Sequence, residues 1–114
     1  MQQPGQLTIE VSERADRLVI ALAGELDLVH AARLEEVFED PSVASSRMLV
    51  LDLERVGFID STGLRAILAV ADAAGGRGQR LALTRGSAQV QRLLSVTGAI
   101  KHLTTIAGPE EPAG

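Results

Sequence analysis

The sequence predicts an α/β fold: one domain with a mixed sheet of four or five strands and crossover helices, in the order β-β-α-β-α-β-α-β. Two observations carry this. Short branched-aliphatic runs alternate with stretches whose apolar residues recur at helical spacing, as parallel strands joined by helices require. The first two runs are separated by only four residues, too few for a crossover, so they form an antiparallel hairpin. A chain of 114 residues suits one domain. We place it at residues 1–107, followed by a flexible C-terminal tail at 108–114.

Leu7, Ile9 and Val11 alternate with Thr8, Glu10 and Ser12, a strand with one wet face. Leu18 to Ala23 is almost continuously apolar and reads as a more buried strand ended by Gly24. Asp27 has the character of a helix cap, and the helix after it runs from Leu28 to Asp40. Ala31, Leu34, Val37 and Phe38 share its inner face, and Pro41 stops it. Met48 to Leu53 is the next strand. Leu64, Ile67, Leu68 and Ala71 form a helical stripe that ends at Gly75-Gly76. Arg80 to Thr84 is a strand, and Ser87 caps a third helix carrying Val90, Leu93 and Leu94 inward. Leu103 to Ile106 is the last strand. Gly108 to Gly114 has only Ala113 to dock, so truncation there is expected to leave stability unchanged.

Composition excludes several functions. Net charge is −4 and the basic residues are scattered, which argues against nucleic acid and anionic membranes as partners. Aromatics are 2%, so stacking platforms for single-stranded nucleic acid are missing. There is no cysteine, hence no disulfide or thiolate chemistry. No apolar run reaches the ~20 residues of a membrane helix, and Met1 to Leu7 is polar, so the expected compartment is the cytoplasm. Asp52 and Asp60 are too poorly supported by neighbouring ligands to argue for a metal or an acid–base pair, and His30 and His102 are isolated. No phosphate-cradling glycine loop or nucleophile elbow is present. The expectation is a protein that is not an enzyme and needs no cofactor and no metal.

The informative segment is Asp60-Ser61-Thr62-Gly63-Leu64. It places a hydroxyl beside a carboxylate where a helix begins. The first N–H groups of a helix lack internal partners, and the helix dipole favours negative charge there. Ser61 is therefore a candidate phosphate acceptor. On sequence physics alone the simpler reading of Ser61, a helix cap, is favoured; Thr62 could cap as well, and Gly63 serves either close backbone approach or a simple turn. Gly24-Glu25-Leu26-Asp27 also follows a strand that should run parallel. If the two strands are neighbours, both loops lie at the sheet end where α/β proteins place their sites.

These segments resemble the STAS family, and in particular its single-domain anti-sigma factor antagonists. The resemblance spans roughly Leu7 to Ile106 and rests on Gly24-Glu25-Leu26-Asp27, on Val50 to Leu53, on Phe58 to Leu64, and on Arg92 to Gly98. It implies that the unphosphorylated protein binds an anti-sigma factor that is also a serine kinase, releasing the sigma factor. It implies that phosphorylation of Ser61 ends binding and that a phosphatase restores it. Asp27, Asp60, Ser61, Thr62, Gly63 and Leu64 are then the partner-binding residues. Family members commonly end in a further helix, which Ala107 to Gly114 cannot form. The C-terminal edge is then bare, or pairs in a weak homodimer. An adaptor STAS domain of a transporter or stress-signalling assembly, without a phosphorylation cycle, is the alternative within the family. A phosphoacceptor-aspartate receiver domain ranks well below, because Val11-Ser12 supplies no acidic pair and Lys101 precedes the last strand.

Overall fold

The computed structural model describes residues 6–96, 98 and 103–111. His102, Lys101 and the last three residues of the expected tail lie outside them. Five strands form one sheet in chain order, β1 (Leu7–Arg14), β2 (Arg17–Leu26), β3 (Met48–Ile59), β4 (Arg80–Thr84) and β5 (Thr104–Ile106). β1 is antiparallel to β2, and every later pair is parallel. The connections carry α1 (Ala31–Phe38), α2 (Pro41–Ala44), α3 (Ser61–Gly76) and α4 (Ala88–Val96). The predicted order holds, with one short helix added.

Each parallel connection steps one strand in the same direction. Right-handed crossovers then put all the helices on one face. The main core lies between that face and the helices. Ile20, Leu22, Leu49, Leu51, Leu53 and Leu83 meet Leu34, Phe38, Ile67, Val70 and Val90 there. With two phenylalanines in the chain, this core is almost wholly aliphatic. Val19, Met48, Val50, Ala82 and Ile106 form a smaller buried cluster, on alternate strand positions and so on the opposite face.

The hairpin link is two residues, Ala15-Asp16, and not four, because Glu13 and Arg14 still pair with Leu18 and Arg17. Other boundaries also differ from the sequence reading for local reasons. Gly24 does not end β2. It sits inside the strand with φ 109° beside a register irregularity, and pairing with β3 continues to Leu26 and Ile59. That irregularity breaks the period-2 signal, which is why β3 reads as ending at Leu53 although Val56 and Ile59 are buried. The first helix is shorter than predicted because Asp27 to His30 form a separate turn. Pro41 also does more than stop a helix. Asp40 caps the short α2, accepting from Ser42 N at 3.0 Å, and Pro41 occupies its first position.

Asp52 has a structural role on the sheet. Its Oδ1 accepts from Thr84 Oγ1 at 3.0 Å, while Thr84 Oγ1 accepts from Leu53 N at 2.8 Å. It is not brought together with Asp60.

Gly108 to Glu111 turn back toward the β1–β2 hairpin. Arg17 Nη1 donates to Glu111 O at 2.6 Å and Pro109 O at 3.4 Å. Arg14 pairs with Glu110 at 2.9 Å, and Ala107 N donates to Glu111 Oε2 at 2.6 Å. These contacts shift the expectation for truncation. Removing residues after Ala107 should cost about 1 kcal/mol, lowering the melting temperature by roughly 5 °C. An unchanged transition by scanning calorimetry would show that the segment contributes nothing.

Candidate functional site

β2 and β3 are adjacent and parallel, and their last register pair is Leu26 with Ile59. Asp27 and Asp60 are the next residues of the two strands. The sheet therefore delivers both carboxylates to one end, where the sequence placed them.

Asp60 caps α3. Its Oδ1 accepts from Gly63 N at 2.8 Å. Its Oδ2 accepts from Leu28 N at 3.0 Å, in the loop after β2. Asp60 N donates in turn to Leu26 O at 3.3 Å. One residue thus caps the helix and ties it to the neighbouring loop.

Asp27 organises that loop. Its Oδ1 accepts from Val29 N and His30 N, both at 3.1 Å, and from His30 Nδ1 at 2.8 Å. A carboxylate only accepts, so His30 carries its proton on Nδ1. Burial pushes the Asp27 carboxyl up, but the His30 ring, the His30 and Val29 amides and the imidazole's charge outweigh it and hold the pKa below the usual value. The expected cap role of Asp27 is realised one turn before α1 begins.

Gly63 is required by space. A Cβ on it would lie 2.0 Å from Leu26 O and 2.8 Å from Leu26 C. The start of α3 is pressed against the last carbonyl of β2, so of the two roles left open for Gly63, close approach applies.

With Asp60 as cap, Ser61 and Thr62 are released from that duty. Ser61 is the first helical residue and is exposed, and Thr62 is half-exposed. Gly63 and Leu64 are placed differently from the expected partner surface. Both are buried, Leu64 at 6% exposure, because they face the end of β2 and the core. They shape the surface from beneath. Exposed apolar area at this end comes instead from Leu28 at 74%, Val29 at 78% and Phe58 at 38%. Sequence reasoning missed Leu28 and Val29. The signal was an apolar pair directly after Asp27 that does not fall on the inner face of the following helix.

The site is thus an exposed hydroxyl at a helix start, two carboxylates engaged by neighbouring donors, and an apolar rim. Among the described residues, no three His, Asp or Glu side chains gather as a metal site would need. No helix among them is long and apolar enough to cross a membrane.

Residues 6–111 match the STAS domain. The chain belongs to the STAS domain family, the family of the anti-sigma factor antagonists. It is 32% identical over 87 residues to the Anti-sigma-F factor antagonist RsfB of Mycobacterium tuberculosis, covering 76% of this chain and 71% of that protein. It is 33% identical over 93 residues to the Anti-sigma-B factor antagonist of Listeria monocytogenes, covering 81% of this chain and 82% of that one. The solved structure of an anti-sigma factor antagonist from Mycobacterium paratuberculosis shares the fold, with a TM-score of 0.85 at 24% identity over 96% of this chain and 93% of that chain.

The close approach of Gly63 is testable against a control in the same helix. A Cβ on Gly75 meets nothing within 4 Å. Gly63→Ala should cost more than about 2 kcal/mol by overpacking. Gly75→Ala should be neutral or stabilising by up to about 1 kcal/mol. Urea denaturation of the two variants checks the contrast, and equal stabilities would remove the spatial requirement at Gly63.

Proposed function

We propose that this protein is an anti-sigma factor antagonist whose partner binding is switched off by a phosphate on Ser61. The unphosphorylated form binds an anti-sigma factor that is also a serine kinase, and the sigma factor is released. The kinase moves the γ-phosphoryl group of ATP to Ser61 Oγ, the hydroxyl proton is lost and ADP leaves. A phosphatase restores the hydroxyl by hydrolysis. The chain itself acts by binding and catalyses no step.

The observation that carries this reading is the division of labour at the start of α3. Asp60 supplies the cap, so Ser61 is exposed and structurally dispensable. Modification there leaves the fold's own hydrogen bonds untouched. The likeness to the antagonists of Mycobacterium tuberculosis and Listeria monocytogenes supports the class of partner.

The physics of the switch is local. A phosphoserine adds about −1.5 to −2 charge at neutral pH. The domain accommodates it at a helix N-terminus, where free N–H groups and the dipole favour anions. A partner seated on Leu28, Val29 and Ser61 has no such compensation. It would have to desolvate the phosphate beside Asp60 and Asp27 while offering it no counter-charge, and burying a charge in that way is costly.

Titration calorimetry with the cognate anti-sigma factor tests this. Phosphorylated protein should bind at least about 30-fold more weakly than unmodified protein, the scale set by a buried charge that the partner does not match. Ser61→Ala should bind like the unmodified protein and keep its stability within about 0.5 kcal/mol, because Ser61 is not the cap. Equal affinities of the phosphorylated and unmodified forms would refute the switch.

A further inference from the structure

We propose that Arg65 is the built-in counter-cation of phosphorylated Ser61. The proposal rests on the reading of Ser61 as the phosphoacceptor and adds a second moving charge to it.

Ser61 and Arg65 stand four residues apart on α3, and both are exposed. Such residues are neighbours on a helix surface, with Cβ atoms about 5–6 Å apart. Helical side chains also lean toward the N-terminus, so a long residue covers the turn before its own Cα. The Arg65 guanidinium therefore has the turn carrying Ser61 within its sweep. An acid placed N-terminal to a base at this spacing is the favourable order for an ion pair.

The unmodified protein gives Arg65 no such partner. It takes part in no ion pair or side-chain hydrogen bond among the described residues, whereas Arg14, Arg17 and Arg77 are each engaged. Its helical neighbours toward the N-terminus are the hydroxyls of Ser61 and Thr62, and toward the C-terminus Leu68 and Ala69. The two nearby carboxylates are already held, Asp60 by Gly63 N and Leu28 N, and Asp27 by Val29 N and His30. A cation near a helix N-terminus also opposes the macrodipole. A phosphate on Ser61 would reverse that balance.

The consequence is that phosphorylation changes two charges at the partner surface. It adds a dianion, and it turns a free guanidinium inward along α3.

The test compares four proteins: serine or co-translationally encoded phosphoserine at position 61, each with Arg65 or Arg65→Gln. Because the phosphate is encoded, no kinase or partner enters the measurement. At low salt, Arg65→Gln should lower the melting temperature of the phosphorylated protein by about 2–4 °C more than that of the unmodified one. The difference should shrink at high salt, and Arg65→Lys should restore part of it. The Arg65 Nε–Hε resonance should move downfield on phosphorylation. Equal temperature changes with an unmoved resonance would overturn the ion pair. A phosphorylated protein that keeps its partner affinity would instead sink the switch and leave the ion pair standing.

Discussion

The carboxylate of Asp60 joins two loops that the sheet only brings near each other. One oxygen holds Gly63 N and the other holds Leu28 N. The helix start and the apolar loop are therefore joined into one surface, with Ser61 at its edge. The glycine at 63 is the complement of this clamp. Any side chain there would strike Leu26 O, so α3 would have to withdraw from β2 and carry Ser61 with it. Parallel pairing of β2 and β3 supplies the frame, because it ends both strands at the same level.

This arrangement separates the groups that hold the fold from the groups it exposes. The groups that hold the site together, Asp60, Gly63, Leu64 and Asp27, are buried or hydrogen-bonded. The groups exposed at this end, Ser61, Leu28 and Val29, contribute little to the core. Under the proposed switch, a phosphate on Ser61 would change the surface strongly while the domain beneath it stays as it is. The charge it introduces is tolerated by a helix N-terminus and not by a desolvated interface.

Much of this was legible in the residues, and the limits have physical causes. β4 matches its predicted bounds because its run is short and cleanly flanked. The pairing of the Asp27 and Asp60 loops followed from two parallel strands, a topological argument that needs no side-chain detail. The identity of the cap was not legible. Asp60, Ser61 and Thr62 are all good caps in succession, and only backbone geometry selects Asp60. The second bond of Asp60, to Leu28 N, spans 32 residues of sequence and leaves no periodic trace. The two residues that β3 inserts opposite β2 hid its length, and the contacts of Arg17 with Pro109 and Glu111 depend on backbone carbonyls that no residue pattern announces.

Amide hydrogen exchange at Leu28 and Gly63 tests the clamp most directly. In Asp60→Ala both amides lose their acceptor, and both should exchange at least about 10-fold faster, the equivalent of about 1.4 kcal/mol of lost protection. In Asp60→Asn the side chain keeps one acceptor oxygen and remains a good cap. Gly63 should then stay protected while Leu28 alone exchanges faster. That selective loss is the result the account predicts. Unchanged protection of Leu28 in both variants would contradict it, because the two loops would then be held together by something other than Asp60.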